Sequence, residues 1–185
     1  YSNNPDPYQE AKKQSNDLVL GMYAELKNIV FQSANQFETA LRLAIAGNII
    51  DYGIGNYFDL QGTIDKVLNS EFAIDDSLEL KQAISEAKTV LYLGDNCGEM
   101  VFDKLFIETT MHPSLIYAVR GAPVINDATM DDAKYVGMDI VADVITNGYD
   151  APSTILEHCS AEFLEVFNRA DVIISKGQGN LEGLL

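Results

Sequence analysis

Between Tyr8 and Phe31 the apolar residues Leu18, Val19, Met22, Tyr23, Leu26, Ile29 and Val30 follow one face of a roughly 3.6-residue period, which predicts a long amphipathic helix. A second helix is predicted from about Ala34 to Ala46. Gly47 should stop it, because Gly47, Gly53 and Gly55 crowd the next nine positions and mark a tight turn. Asp76 offers an N-cap for a third helix, Ser77 to Ala87, carrying Leu78, Leu80, Ala83, Ile84 and Ala87. After Ala87 the texture changes to short apolar runs alternating with helical segments: strands at Thr89–Leu93, Ser114–Val119, Ile140–Ile145 and Asp171–Ser175, and helices near Gly98–Thr110, Thr129–Val136 and Ser160–Arg169. Such alternation implies parallel pairing through crossovers. The predicted fold class is α/β: a Rossmann-like α/β/α sandwich with a mainly parallel sheet over residues 89–185, preceded by a helical domain over residues 1–88.

Composition narrows the function classes. The chain carries 12 Lys+Arg against 28 Asp+Glu, a formal net charge of −16, and that field repels phosphate backbones and anionic headgroups, so neither nucleic acid nor a membrane is an expected partner. No apolar run approaches the roughly 20 residues of a membrane helix. The N-terminal Tyr1-Ser-Asn-Asn-Pro lacks the design of a signal peptide. Two cysteines, Cys97 and Cys159, are too few for a disulfide scaffold and fit a cytoplasmic setting. Oligomeric state is not legible.

The strand ends collect the chemistry. Thr89–Leu93 breaks at Gly94 and delivers Asp95, Asn96 and Glu99; Ser114–Val119 leads through Arg120 to Asn126-Asp127-Ala-Thr129; Asp171–Ser175 leads to Lys176-Gly-Gln-Gly-Asn180. In open α/β sheets the crevice beyond the carboxyl ends of the strands is where ligands bind. Asp95, Asn96 and Asp127 are candidate ligands for a hard divalent cation such as Mg²⁺, which needs only a few oxygen donors besides water. Each has a plainer alternative, because Asp95, Asn96 or Asp127 would also suit the N-cap of the helix that follows. Asp131 and Asp132 are expected to be first-turn helix carboxylates. Lys176 at a strand end is harder to explain by folding, because a lysine is rarely buried unless paired; beside a cation site it suits a phosphate. His112 and His158 lack metal-type spacing and are expected in turn or surface roles. Cys97 sits where a helix N-terminus would lower its pKa, but no histidine is placed to serve as its base.

Five motifs in order, Ala46-Gly-Asn-Ile-Ile-Asp51, Gly94-Asp-Asn-Cys-Gly-Glu99, Asn126-Asp-Ala-Thr129, Gly148-Tyr-Asp-Ala-Pro-Ser-Thr154 and Ser175-Lys-Gly-Gln-Gly-Asn180, resemble the family long filed as domain of unknown function 89. Its members are described as metal-dependent damage-control phosphatases, the ARMT-like proteins. The resemblance implies a divalent cation (Mg, Mn, Co or Ni) held by Asp95, Asn96 and Asp127, with Lys176 near the substrate phosphate. It also implies that the segment around Asn48 and Asp51 reaches the cleft from the helical domain. Asp95, Asp127 and Lys176 are then the catalytic candidates. Glu99, Asn48, Asp51, Arg120 and Asn180 join Lys176 as candidate substrate-binding residues.

The implied substrate is a small phosphorylated metabolite, a sugar phosphate or a phosphopantetheine derivative, hydrolysed at its phosphate monoester. Asp95 as nucleophile and a cation-activated water remain open alternatives. A haloacid-dehalogenase-type phosphatase is disfavoured because Asp95-Asn-Cys97 lacks the second aspartate of Asp-x-Asp. An S-adenosylmethionine-dependent carboxyl methyltransferase and a non-catalytic metal-binding module are the other readings. The chain starts without Met and stops at Leu184-Leu185, just past a glycine-rich loop where a helix is expected; both ends are expected to be incomplete.

Overall fold

A computed structural model describes residues 4–50 and 60–185. Four helices come first: α1 (Gln9–Gln32), α2 (Gln36–Ile50), α3 (Leu60–Asn69) and α4 (Ser77–Glu86). Then β1 (Val90–Leu93), α5 (Glu99–Thr110), β2 (Leu115–Val119), α6 (Met130–Tyr135), β3 (Asp143–Thr146), α7 (Ala161–Arg169), β4 (Val172–Ser175) and α8 (Gln178–Leu184) alternate. The four strands form one sheet in the order β3-β2-β1-β4, and every pairing is parallel. The α/β class and parallel sheet expected from the alternation are both present.

The two central strands are buried on both faces, which is why they read as unbroken apolar runs. Val90 and Tyr92 of β1, with Leu115, Tyr117 and Val119 of β2, join the core formed with α1, α2, α5 and α6. The alternate residues Leu91, Leu93, Ile116 and Ala118 meet Phe163 of α7 and, at its edge, Leu184 of α8. The first core cluster is continuous from Val19, Leu26 and Leu43 in the N-terminal helices to Tyr92 and Tyr117 in the sheet.

Several local expectations are corrected. The second helix does not stop at Gly47 but runs through it to Ile50. That glycine serves close packing: a β-carbon there would lie 3.1 Å from Phe102 Cδ2 and 3.3 Å from Glu99 Cα, so its absence lets α2 lie against α5. Asp51, Gly53 and Gly55 lie outside the described residues. Helix α3 is not among the predicted elements, although Leu60, Ile64, Val67 and Leu68 fall at helical spacing. Asp76 precedes α4 without making a side-chain cap; Asp75 Oδ1 instead accepts from Ser77 N at 3.1 Å. The strand expected from Ile140 begins only at Asp143, because Gly137 takes φ +71° and Met138–Ile140 forms a 3-10 turn.

Glycine substitutions test this packing. Gly21 sits inside α1, where an added β-carbon would meet nothing within 4 Å, so Gly21→Ala should stabilise the chain by about 0.4–1 kcal/mol. Gly47→Val should instead cost about 1–3 kcal/mol through overpacking. Urea denaturation of both variants reads the opposite signs.

Candidate functional site

The strand order reverses between β1 and β4, and this switch point places their loops side by side. The contact is close: Gly177, at φ +77°, lies against the Asp95 carboxylate, and a β-carbon there would overlap it. The β1 and β2 loops are joined by backbone. Asn96 and Asp127 form an antiparallel bridge, Cys97 N donates to Asn126 O at 2.9 Å and Ala128 N donates to Asp95 O at 2.8 Å. Asp95, Asn96 and Asp127 therefore come together at the carboxyl edge.

Capping does not account for them. The residue preceding α5 is Gly98 and the N-cap of α6 is Thr129, so neither Asp95, Asn96 nor Asp127 is used in that way. Asp132 does play the expected helix role, its Oδ2 accepting from Thr129 N at 3.0 Å. Ile125, two residues before Asp127, holds φ +46°, a costly conformation for a β-branched residue and one that concentrates at functional loops.

Arg120 is buried between the two aspartates. Its Nε donates to Asp127 Oδ2 at 2.5 Å and its Nη2 lies 3.4 Å from Asp95 Oδ1. Nη1 donates to Thr154 Oγ1 at 3.1 Å and to Asn180 Oδ1 at 2.9 Å. Asn180 is fully buried and anchored in turn, its Nδ2 donating to Gly94 O at 3.0 Å and to Lys176 O at 2.7 Å.

Lys176 is brought to the site with its ammonium turned inward. It donates to Ala44 O at 2.9 Å, Glu99 Oε1 at 2.5 Å and Asp103 Oδ1 at 2.8 Å, which uses all three of its donors. Asp103 also accepts from Tyr92 Oη at 2.7 Å and Tyr117 Oη at 3.0 Å. Asn48, inside α2 and not in a turn, places Nδ2 3.2 Å from Glu99 Oε2. Asp51 cannot be placed among these residues, since it falls outside those described.

The electrostatics follow from burial. Desolvation first, then the charges of Glu99 and Asp127, push the Asp95 carboxyl up to about 7, against the pull of Arg120 and Lys176. Glu99 is likewise raised, chiefly by burial, although Lys176 and Asn48 oppose the shift. Burial works against the Lys176 charge, but Asp103 and Glu99 outweigh it and hold the ammonium above its ordinary range. Asn96 donates Nδ2 to Asp95 Oδ2 at 2.9 Å, which leaves its carbonyl oxygen as the atom suited to a cation. Two carboxylates and one amide oxygen are a fitting partial set for a hard ion that keeps waters. Among the described residues no cluster of three or more His, Cys, Asp or Glu side chains has metal-binding geometry.

The other candidates resolve simply. Burial pushes the Cys97 thiol up, the reverse of the lowering expected at a helix N-terminus, so it is held as a thiol. His112 occupies a turn, its Nδ1 accepting from Ser114 N at 3.2 Å and its Nε2 lying 2.9 Å from Ala87 O. His158 stacks on Tyr149. Asp103, Tyr92 and Tyr117 were missed by sequence reasoning; the available signal was Asp103 standing four residues after Glu99, one turn along the same helix face.

The whole chain, residues 1–185, matches the damage-control phosphatase ARMT1-like domain. The chain belongs to this family. It is 39% identical over 186 residues to a damage-control phosphatase of Pyrococcus horikoshii, covering 98% of this chain and 63% of that protein. A damage-control phosphatase of Archaeoglobus fulgidus is 33% identical, covering 97% and 64%, and an uncharacterised protein of Methanocaldococcus jannaschii is 37% identical, covering 99% and 62%. The crystal structure of a DUF89 family protein from P. horikoshii superposes with a TM-score of 0.85 at 39% identity, over 98% of this chain and 64% of that one. The chain thus spans under two thirds of the length of these relatives. Among its described residues no helix is long and apolar enough to cross a membrane.

Two measurements probe the charge balance of this family member. Because the Asp95 carboxyl is raised, its ionisation opposes folding: the cost is absent below the ordinary aspartate pKa of about 4 and complete once pH exceeds about 7. In chelator, Asp95→Asn should raise Tm at pH 8 by at least about 2–4 °C, the shift that 1 kcal/mol gives a chain of this size. The gain should vanish by pH 4, as read by calorimetry. Lys176→Met leaves Glu99 and Asp103 buried without their cation and should cost about 3–5 kcal/mol in urea denaturation at pH 7.

Proposed function

We propose that this chain carries the cation- and phosphate-binding face of a divalent-metal-dependent phosphatase that hydrolyses phosphate monoesters of small metabolites, sugar phosphates or phosphopantetheine-type compounds. The observation that supports it most is the meeting of Asp95, Asn96 and Asp127 on two bridged loops, with the Asp95 charge incompletely balanced, in a chain whose relatives include proteins named damage-control phosphatase. In this reading residues 89–185 form the α/β unit that holds the site, and the helical unit assigned to residues 1–88 adds Asn48 to it.

Asp95, Asn96 and Asp127 would hold the cation: Mg²⁺, Mn²⁺, Co²⁺ or Ni²⁺. Bound there, such an ion supplies Lewis acidity toward phosphate oxygens and lowers the pKa of a coordinated water. Arg120 holds the two aspartates at a fixed spacing and limits their repulsion. Asn180 and Thr154 keep its guanidinium in that orientation through Nη1. Lys176 contributes positive charge beneath the site, and a direct bond from it to a phosphate oxygen requires one of its present acceptors to be released. Glu99, shared by Lys176, Asn48 and Asn96, is the acceptor that faces the site residues. Asp95 would serve either as the in-line nucleophile toward phosphorus or, with Asn96 and Asp127, as a holder of the cation, which would supply the activation of a water nucleophile.

A panel of phosphorylated metabolites assayed with and without each cation tests the reading. Hydrolysis should require added metal, and Asp127→Ala should abolish both Mn²⁺ binding by calorimetry and turnover while thermal unfolding stays cooperative, since one of few protein ligands is removed. Metal-independent turnover, or unchanged Mn²⁺ affinity in Asp127→Ala, would overturn it.

A further inference from the structure

The first turns of α1 depart from the pattern of the rest of the helix. Val19, Leu26 and Val30 bury an apolar stripe, but the positions that continue it toward the N-terminus are Lys12, Ser15 and Asn16, polar and also buried. Lys12 keeps 2% of its surface and Asn16 none. Polar groups buried on a helix face cost stability unless they are bonded. Their partners therefore show what the face is for.

Asn16 Oδ1 accepts from Gly98 N at 2.6 Å. Gly98, at φ +81°, stands three residues beyond Asp95, and a β-carbon there would approach Ser15 Cβ to 3.1 Å. Lys12 Nζ lies 2.8 Å from Asp132 Oδ2 and 2.8 Å from Asp6 Oδ2. The same Asp132 oxygen accepts from Thr129 N at 3.0 Å and from Thr129 Oγ1 at 2.6 Å, two residues beyond Asp127. Adjacent turns of one helix thus grip both loops just downstream of their aspartates. The bridge between Asn96 and Asp127 closes the circuit.

We propose that Lys12 and Asn16 are positioning residues, and that α1 is a brace fixing the separation of the loop bearing Asp95 and Asn96 from the loop bearing Asp127. Its consequence for cation affinity rests on the proposed function; the brace itself concerns only the two loops. Asn16 and Lys12 touch neither aspartate and act through Gly98 and through Asp132 with Thr129. Buried partners of this kind set ligand geometry without contributing a ligand.

The test compares the intact chain with Asn16→Leu, Asn16→Asp and Lys12→Met. Leucine matches the shape of asparagine but accepts no hydrogen bond, whereas aspartate keeps the acceptor oxygen. Amide hydrogen exchange in chelator should be roughly tenfold or more faster at Gly98 and Ala128 in Asn16→Leu, with the amides of Leu91 and Tyr117 unchanged, the signature of local opening. Mn²⁺ affinity, read by electron paramagnetic resonance, should fall roughly 10- to 100-fold in the same variant. Asn16→Asp keeps the acceptor for Gly98 N while burying a carboxylate, so it should slow exchange at Gly98 and Ala128 relative to Asn16→Leu and raise Mn²⁺ affinity above that of Asn16→Leu, at some cost in global stability. Should Asn16→Leu fail to fold, Lys12→Met carries the test through exchange at Thr129 and Ala128.

Exchange unchanged at the loops, faster exchange spread evenly over the strands, or exchange in Asn16→Asp as fast as in Asn16→Leu overturns the brace. Loosened loops with unchanged Mn²⁺ affinity overturn its positioning role. A parent chain that takes up no Mn²⁺ overturns the metal reading of the site, and exchange still decides the brace.

Discussion

Four carboxylates, Asp95, Glu99, Asp103 and Asp127, are gathered at the carboxyl edge of the sheet around two cations, Arg120 and Lys176. Like charges at such spacing repel strongly once water is excluded, so the geometry of the whole edge is set by how those two cations are held. Arg120 is fixed by Thr154 and Asn180, which draws the loop after β3 and the first turn of α8 toward the loops after β1 and β2. Lys176 is fixed by Glu99, Asp103 and Ala44 O, which binds β4 to α5 and to α2. Burial first, then neighbouring carboxylates, raises the pKa of Asp95 and of Glu99 against the pull of Arg120 and Lys176. Perturbed carboxyls of this kind concentrate at functional sites.

The helical segment is therefore more than a cover for the sheet. Helix α2 offers a backbone carbonyl to Lys176 and the Asn48 amide to Glu99, and it does so because Gly47 allows it to lie against α5. Helix α1 reaches the other side of the same loop through Asn16. The core continues without a break from these helices into the sheet, so packing of the N-terminal helices and geometry of the candidate site are not independent.

Much of this was legible in the residues. Periodic apolar positions determined α1 and α4 to within a few residues, the alternation of strands with helical segments located α5 and α7, and unbroken apolar runs determined β1 and β2, because burial on one helix face or on both sheet faces leaves a repeat in the chain. The strand-end grammar singled out Asp95, Asn96, Asp127 and Lys176, because parallel strands all deliver their following residues to one edge; it did not assign Arg120 the place between the two aspartates. What each does there is not written in the same grammar: capping and ligation require the same residue types, and only the observed caps, Gly98 and Thr129, remove capping from the aspartates.

The tertiary structure alone decided three things. It turned Lys176 inward, because its partners Glu99 and Asp103 lie more than seventy residues away in the chain and no local pattern encodes them. It made Gly47 a contact point inside a helix, because the reason for a missing β-carbon there is Phe102 on another element. And it buried Lys12 and Asn16 on a face where periodicity calls for apolar residues, since besides Asp6 their partners are Asp132 of α6 and Gly98, both more than eighty residues downstream. Sequence specifies which positions face inward, since that depends on the chain's own repeat. Which distant polar group each buried polar residue will meet depends on how the elements are stacked, and that is settled only in three dimensions.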